Sequence, residues 1–190
     1  MIKRLRTPIV IFFSLAFLLG IAYPLLLTGI AQSIFPRQAN GSLITQNQRV
    51  IGSELIGQYF DQPQYFWGRL SATGDEPYNA SSSGASNLSV MNPILLKNVQ
   101  QRISDLKSAD PGNTLPIPAD LVTASASGLD PHISPAAAKY QAGRVARIRG
   151  ISIDQIMSLI DQFTENKQFG FLGEARVNVL ELNLALDALK

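Results

Sequence analysis

Cysteine is absent from this 190-residue chain, and histidine occurs once, at His132. The first absence excludes a disulfide scaffold and thiolate-based metal or redox chemistry. The second leaves a histidine-based metal site without a partner ligand. An excess of either charge is also lacking: Lys and Arg total 16, Asp and Glu 14, and the net charge is +2. With no polybasic block, the chain does not point to nucleic acid. No GxxxxGK[ST] or GxGxxG stretch offers a phosphate cradle. No TVGYG-like stretch offers a potassium filter, and no repeat of roughly 20 to 50 residues is visible.

What the sequence does have is one long apolar run. Residues 8–31 read PIVIFFSLAFLLGIAYPLLLTGIA, without a charged side chain. Lys3, Arg4 and Arg6 stand before it, and the next charge is Arg37. About 20 apolar residues suffice, as a helix, to cross a bilayer, and a helix satisfies its own backbone groups there. The run predicts a transmembrane helix over 8–31. The basic flank predicts a cytoplasmic tail over 1–7 and an extracytoplasmic domain over 32–190. A secretory signal would have a shorter apolar core, of about 7 to 15 residues, although Gly29 and Ala31 offer a weak cleavage site. Pro24 removes one helix hydrogen bond and predicts a kink.

The remainder reads as one α+β domain of helices and short strands, about the usual domain size. Val50 and Ile51 begin a short strand, and residues 53–60 suggest one or two helical turns. Tyr65, Phe66 and Trp67 form an aromatic cluster, for the core or for a contact surface. Residues 71–92 are rich in Ser, Asn and Gly and read as a long loop. Within it Asn79 and Asn87 match glycosylation acceptors. Asn92 caps a helix with Pro93 at its first position, and Ile94, Leu95, Val99, Ile103 and Leu106 form its apolar stripe. Leu121 and Val122 suggest a short strand. Ser134 and Pro135 open a helix that Gly150 ends, carrying Lys139, Arg144, Arg147 and Arg149. Ser152 and Gln155 make a capping box for the next, with Ile153, Ile156, Met157, Ile160 and Phe163 inward. Residues 167–173 turn the chain. Asn178 caps the last helix, with Val179, Leu182, Leu186 and Leu189 toward the core.

Catalytic groupings are thin. Ser125, Ser127, Asp130 and His132 are close in sequence, but Gly128 and Pro131 separate them, and a triad needs groups brought together with defined geometry. The plain reading is a structural turn; an anchored hydrolase is the competing one. A tethered ligand-binding protein is a third reading, and it requires a pocket.

Several blocks together resemble one family. They include Tyr23-Pro24-Leu25, Thr28-Gly29-Ile30-Ala31-Gln32, Gln38-Ala39-Asn40-Gly41-Ser42, Gly68-Arg69 before Ser71-Ala72, and Leu180-Glu181-Leu182-Asn183-Leu184. The most specific is DLVTASASGLDP, which contains Asp120, Thr123, Ser125, Ser127, Gly128, Asp130 and Pro131. Almost end to end, the chain resembles the C subunit of the Kdp-type potassium-transporting P-type ATPase. Leu70 and Ala175 depart from the usual pattern, where prolines are common. The resemblance implies a non-catalytic, single-pass subunit of a bacterial inner-membrane complex, and no DKTGT phosphorylation sequence is present. The implied partners are a channel-like potassium-binding subunit, a P-type ATP-hydrolysing subunit and a small membrane peptide. It further implies a chaperone that raises the pump's affinity for ATP, with Gln141 helping to bind nucleotide. Gly68, Arg69, Arg144 and the DLVTASASGLDP residues are the implied motif or interface positions. The residue-level alternative for Gln141 is a polar group on a helix face near Arg144.

Overall fold

The computed structural model describes residues 2–189, with side chains from Leu5 onward. Met1, Lys190 and the side chains of Lys3 and Arg4, whose charges entered the topology argument, lie outside the described residues. The chain divides into two units, Met1–Ile51 and Gly52–Lys190.

The first unit is mostly one apolar helix. Helix α1 (Ile2–Phe17) runs through a π-turn (Leu18–Ala22) into α2 (Tyr23–Ile34). Leu5–Ile34 is long and apolar enough to cross a membrane. The π-turn sits where Pro24 requires it: the ring would crowd the carbonyl of Gly20, and widening the helix by one residue relieves the clash. Tyr23 N–H accordingly bonds Leu18 O. A short α3 (Pro36–Ala39) leads into the hairpin β1 (Leu43–Gln46) and β2 (Arg49–Ser53). Its two loop residues, Asn47 and Gln48, have φ of +50° and +63°, the left-handed pair that suits the twist of a two-residue hairpin.

The second unit contains α4 (Pro93–Ala109), α5 (Pro135–Arg149), α6 (Ile153–Gln162) and α7 (Val179–Ala188) with a three-stranded sheet, on which α5 and α7 pack. Its order is β3 (His132–Ile133), β5 (Arg176–Asn178), β4 (Thr164–Glu165), all antiparallel. The helix starts follow the expected chemistry. Asn92, Ser134, Ser152 and Asn178 each accept a backbone N–H, and Ser152 with Gln155 closes a capping box. Gly150 ends α5 at φ +67°, where a β-carbon would be strained. Phe66, Leu121, Ile133, Val145, Ile156, Ile160, Val177, Leu182 and Leu186 form the centre of the core.

Some local expectations fail. Residues 53–60 are not helical; Ser53 and Ile56 form a bridge, and Gly57 N–H goes to Leu129 O instead of to its own turn. Leu121 lies in a 3₁₀ turn (Ala119–Leu121) rather than a strand, because Asp120 and Thr123 bond backbone there. Ile94, Ile153 and Leu189 are exposed. Each lies at a helix end, where the stripe runs past the core.

Candidate functional site

Residues 62–70 cross the second unit as a turn at 62–65, closed by Tyr65 N–H on Gln62 O, followed by an irregular stretch at 66–70 that has a strand-like bridge only at Leu70. Its carbonyls must still be satisfied, since buried unpaired backbone groups are costly. Side chains and two backbone N–H groups, of Tyr65 and Ser125, do this at every position. Gln62 O accepts from Trp67 Nε1, Pro63 O from Arg144 Nη1, and Gln64 O from Arg149 Nε. Tyr65 O accepts from Arg144 Nη1, Phe66 O from Asn183 Nδ2, and Trp67 O from Gln141 Nε2. Gly68 O accepts from Arg102 Nη2, Arg69 O from Tyr78 Oη, and Leu70 O from Ser125 N–H.

Two amide side chains act as strand mimics. Asn183 accepts from Phe66 N–H at 2.9 Å and donates to Phe66 O at 3.0 Å. Gln141 accepts from Trp67 N–H at 2.8 Å and donates to Trp67 O at 3.1 Å. Gln141 also donates to Ala137 O and accepts from Arg144 Nη2 at 2.7 Å. Both amides are 1% exposed. Both polar atoms of the Gln141 side chain are therefore engaged within the chain.

Arg144 is 2% exposed, and among the described residues no carboxylate forms an ion pair with it. Burial pushes its pKa down to about 10, with the field of Asp110 opposing that shift. Main-chain carbonyls and Gln141 Oε1 take the place of a counter-ion, together with the face of Trp67. The Arg144 and Arg102 guanidinium carbons stand 4.6 Å and 5.0 Å from the Trp67 ring centroid, a cation–π arrangement. Burial lowers the pKa of Arg102 as well.

The DLVTASASGLDP loop packs beside this segment through a parallel bridge of Leu70 with Ala124. Its polar residues hold its own path. Asp120 Oδ2 accepts from Ser134 N–H and Thr123 Oγ1 donates to Ala119 O. Ser125 Oγ accepts from Gly128 N–H, and Ser127 Oγ accepts from Leu129 N–H. Ser127 O receives Gly84 N–H and Ser83 Oγ, which ties down the serine-rich loop. Pro131 O receives Val179 N–H. Gly68 is buried, and a β-carbon there would meet Tyr78 Oη at 2.7 Å. Burial raises the Tyr78 pKa to about 12, which keeps the phenol protonated as a donor.

Asp130 joins two elements. Its Oδ2 lies 3.1 Å from Arg69 Nη1, and its Oδ1 accepts from His132 N–H at 3.0 Å. Burial pushes its carboxyl up, but hydrogen bonds from His132 and Arg69 outweigh this and hold the pKa below the ordinary 3.8. A carboxyl depressed on folding adds stability above its unfolded pKa and loses it as pH falls through the folded value. Asp130→Asn is expected to lower the melting temperature at pH 7. The gap to the parent chain should close as acid below about pH 4 protonates the parent's carboxylate. A gap unchanged between pH 7 and pH 3 would contradict this linkage.

Gln141 and Arg144 thus bond the segment directly, Ser125 meets it at Leu70, and Asp130 meets it through Arg69. Arg102, Tyr78 and Asn183 complete the arrangement and were not singled out from sequence. Asn183 had a legible signal, since it stands on the same helix face as Val179, Leu182 and Leu186. Arg102 had none. A separate cavity of about 310 Å³ lies between α4 and the serine-rich loop, lined by Tyr59, Leu70, Leu95, Val99, Arg102 and Val122 among others.

The family described as "KdpC: K+-transporting ATPase, c chain" matches residues 5–188. The chain is 61% identical to the potassium-transporting ATPase KdpC subunit of Polaromonas naphthalenivorans, over 98% of this chain and 95% of that one. It is 56% identical to the subunit of the same name from Methylococcus capsulatus, over the full length of both. The Herpetosiphon aurantiacus subunit is 61% identical over 95% of this chain and 93% of its own.

Proposed function

The chain belongs to the family of K+-transporting ATPase c chains, and from that membership we propose that it is a non-catalytic subunit of an ATP-driven potassium uptake complex in a bacterial inner membrane. Its partners there are a channel-like potassium-binding subunit, an ATP-hydrolysing subunit and a small membrane peptide. The observation that carries this reading is a nearly full-length match combined with a domain whose buried Gln141, Arg144 and Asn183 are spent on its own main chain. Such a domain is a rigid body for assembly.

The basic residues before the apolar run put the N-terminus in the cytoplasm and the domain outside. ATP is consumed on the inner side, and a side chain does not reach across about 30 Å of hydrocarbon. An influence on ATP affinity is then a coupling free energy passed through helices, of about 1 to 3 kcal/mol, or about 5- to 150-fold. Gln141 contributes indirectly, by holding Trp67.

The test is expression of the two large subunits with and without this chain. Without it, the expected result is poor co-assembly and loss of potassium uptake at micromolar external potassium. Equilibrium dialysis of ATP against the isolated full chain in detergent should show no binding. Normal assembly and uptake without the chain would overturn the proposal, and stoichiometric ATP binding would overturn the indirect role of Gln141.

A further inference from the structure

The hairpin formed by β4 and β5 has a charged stem and an apolar tip. In the stem the charges are paired: Lys167 Nζ lies 2.9 Å from Glu174 Oε2, and Arg176 Nη2 lies 2.7 Å from Glu165 Oε2. The tip between them, residues 168–173, carries no charge. Phe169 and Phe171 are 87% and 74% exposed, and Leu172 beside them is 47% exposed. The other phenylalanines of this unit, Phe60, Phe66 and Phe163, are buried or half-buried.

The tip is also pre-shaped. Gln168 and Leu172 exchange both backbone hydrogen bonds at 2.9 Å, and Gly170 N–H closes onto Lys167 O. Gly170 and Gly173 have φ of +81° and +75°. Phe169 itself sits at φ +53°, a left-handed conformation that costs a phenylalanine energy and that persists where function requires it. A backbone held this way loses little freedom on docking.

The charge pattern says what covers the tip. A segment meeting an anionic lipid surface carries surplus Lys or Arg, and Trp or Tyr at the headgroup level. This stem is neutral pair by pair, and its aromatics are phenylalanines. An uncharged centre containing phenylalanine inside a polar rim is instead the composition of a protein interface. We propose that Phe169, Phe171 and Leu172 form a plug that seats in an apolar socket on another subunit of the transport complex. The proposal rests on the reading of this chain as a subunit of that complex.

The test uses the full chain co-expressed with its partner subunits and purified through a tag on one of them. The double variant Phe169→Ala/Phe171→Ala is expected to be retained about tenfold less than the parent chain. The double variant Phe169→Leu/Phe171→Leu keeps apolar surface and is expected to recover much of the loss. Isolated in detergent, both variants should melt within about 2 °C of the parent, since surface changes cost little stability. Independently, Phe169→Trp should be quenched by acrylamide in the isolated chain and protected in the complex. Retention of the alanine variant at the parent level would overturn the plug and leave the subunit reading intact. So would acrylamide quenching in the complex, or quenching there by brominated lipid, which would place the tip in the bilayer. Failure of the parent chain itself to co-purify would sink the subunit reading, and the plug with it.

Discussion

Arg144→Met is expected to destabilise the full chain by about 3 kcal/mol, although it removes a buried charge. Burying an arginine is costly, and replacing a buried ionic group by an apolar one of similar shape is often neutral or stabilising. That outcome requires the partners to be removed as well. Here the partners are main-chain carbonyls of Pro63 and Tyr65, which no substitution deletes. Losing the guanidinium leaves the half-buried Tyr65 carbonyl and the buried Gln141 Oε1 each short of a donor, at about 1 to 3 kcal/mol apiece. It also takes one cation from the face of Trp67. Arg144→Lys should be nearly as damaging, since an ammonium cannot reproduce the planar fork that spans these acceptors. The measurement is thermal or urea unfolding of the full chain in detergent micelles. The chain has a single tryptophan, so Trp67 emission reports the clamp directly, and a red shift should accompany the loss. A Met variant as stable as the parent would mean that the segment is held by apolar packing alone.

Gly128→Ala is the second large effect, expected at about 2 to 4 kcal/mol. Two costs combine there. Gly128 has φ +70°, and an added β-carbon would lie 2.4 Å from Thr73 Cγ2 and 2.9 Å from Gly84 O. The second contact is backbone, so a side-chain rotation cannot relieve it. The same glycine receives Ser71 Oγ at its carbonyl and gives its N–H to Ser125. Displacing it should loosen the serine-rich loop as well, seen as faster proteolysis within residues 71–92. Gly74→Ala separates the two costs. Gly74 has φ +92° with nothing within 4 Å of the added carbon. That variant should lose only the strain, about 1 kcal/mol. Equal losses at the two sites would show that the close approach at Gly128 is relieved without cost.

Much of the scaffold could be read without coordinates, because its signals are local. A run without charge is a helix suited to lipid whatever surrounds it. Asn92-Pro93, Ser134-Pro135 and Ser152 with Gln155 mark helix starts through bonds made within three residues. The long serine-rich stretch reads as a loop because it cannot bury enough apolar surface. Resemblance located the DLVTASASGLDP loop, but resemblance does not say what each residue does there. Asp120, Thr123, Ser125 and Ser127 all bond backbone, work that their sequence neighbours alone do not reveal.

The central arrangement was legible only in part, for a physical reason. Beyond the turn at 62–65, residues 66–70 have weak local preference and no regular period, so little nearby dictates their path. What fixes it comes from Arg102, Gln141, Arg144, Arg149 and Asn183, up to 117 residues away along the chain. The sequence by itself determined the greasy helix, the capped helices and the family. The tertiary structure alone decided that a buried glutamine and arginine serve the protein's own backbone. Unpaired carbonyls in a dry core choose their donors by distance in space, and separation along the chain does not predict that distance.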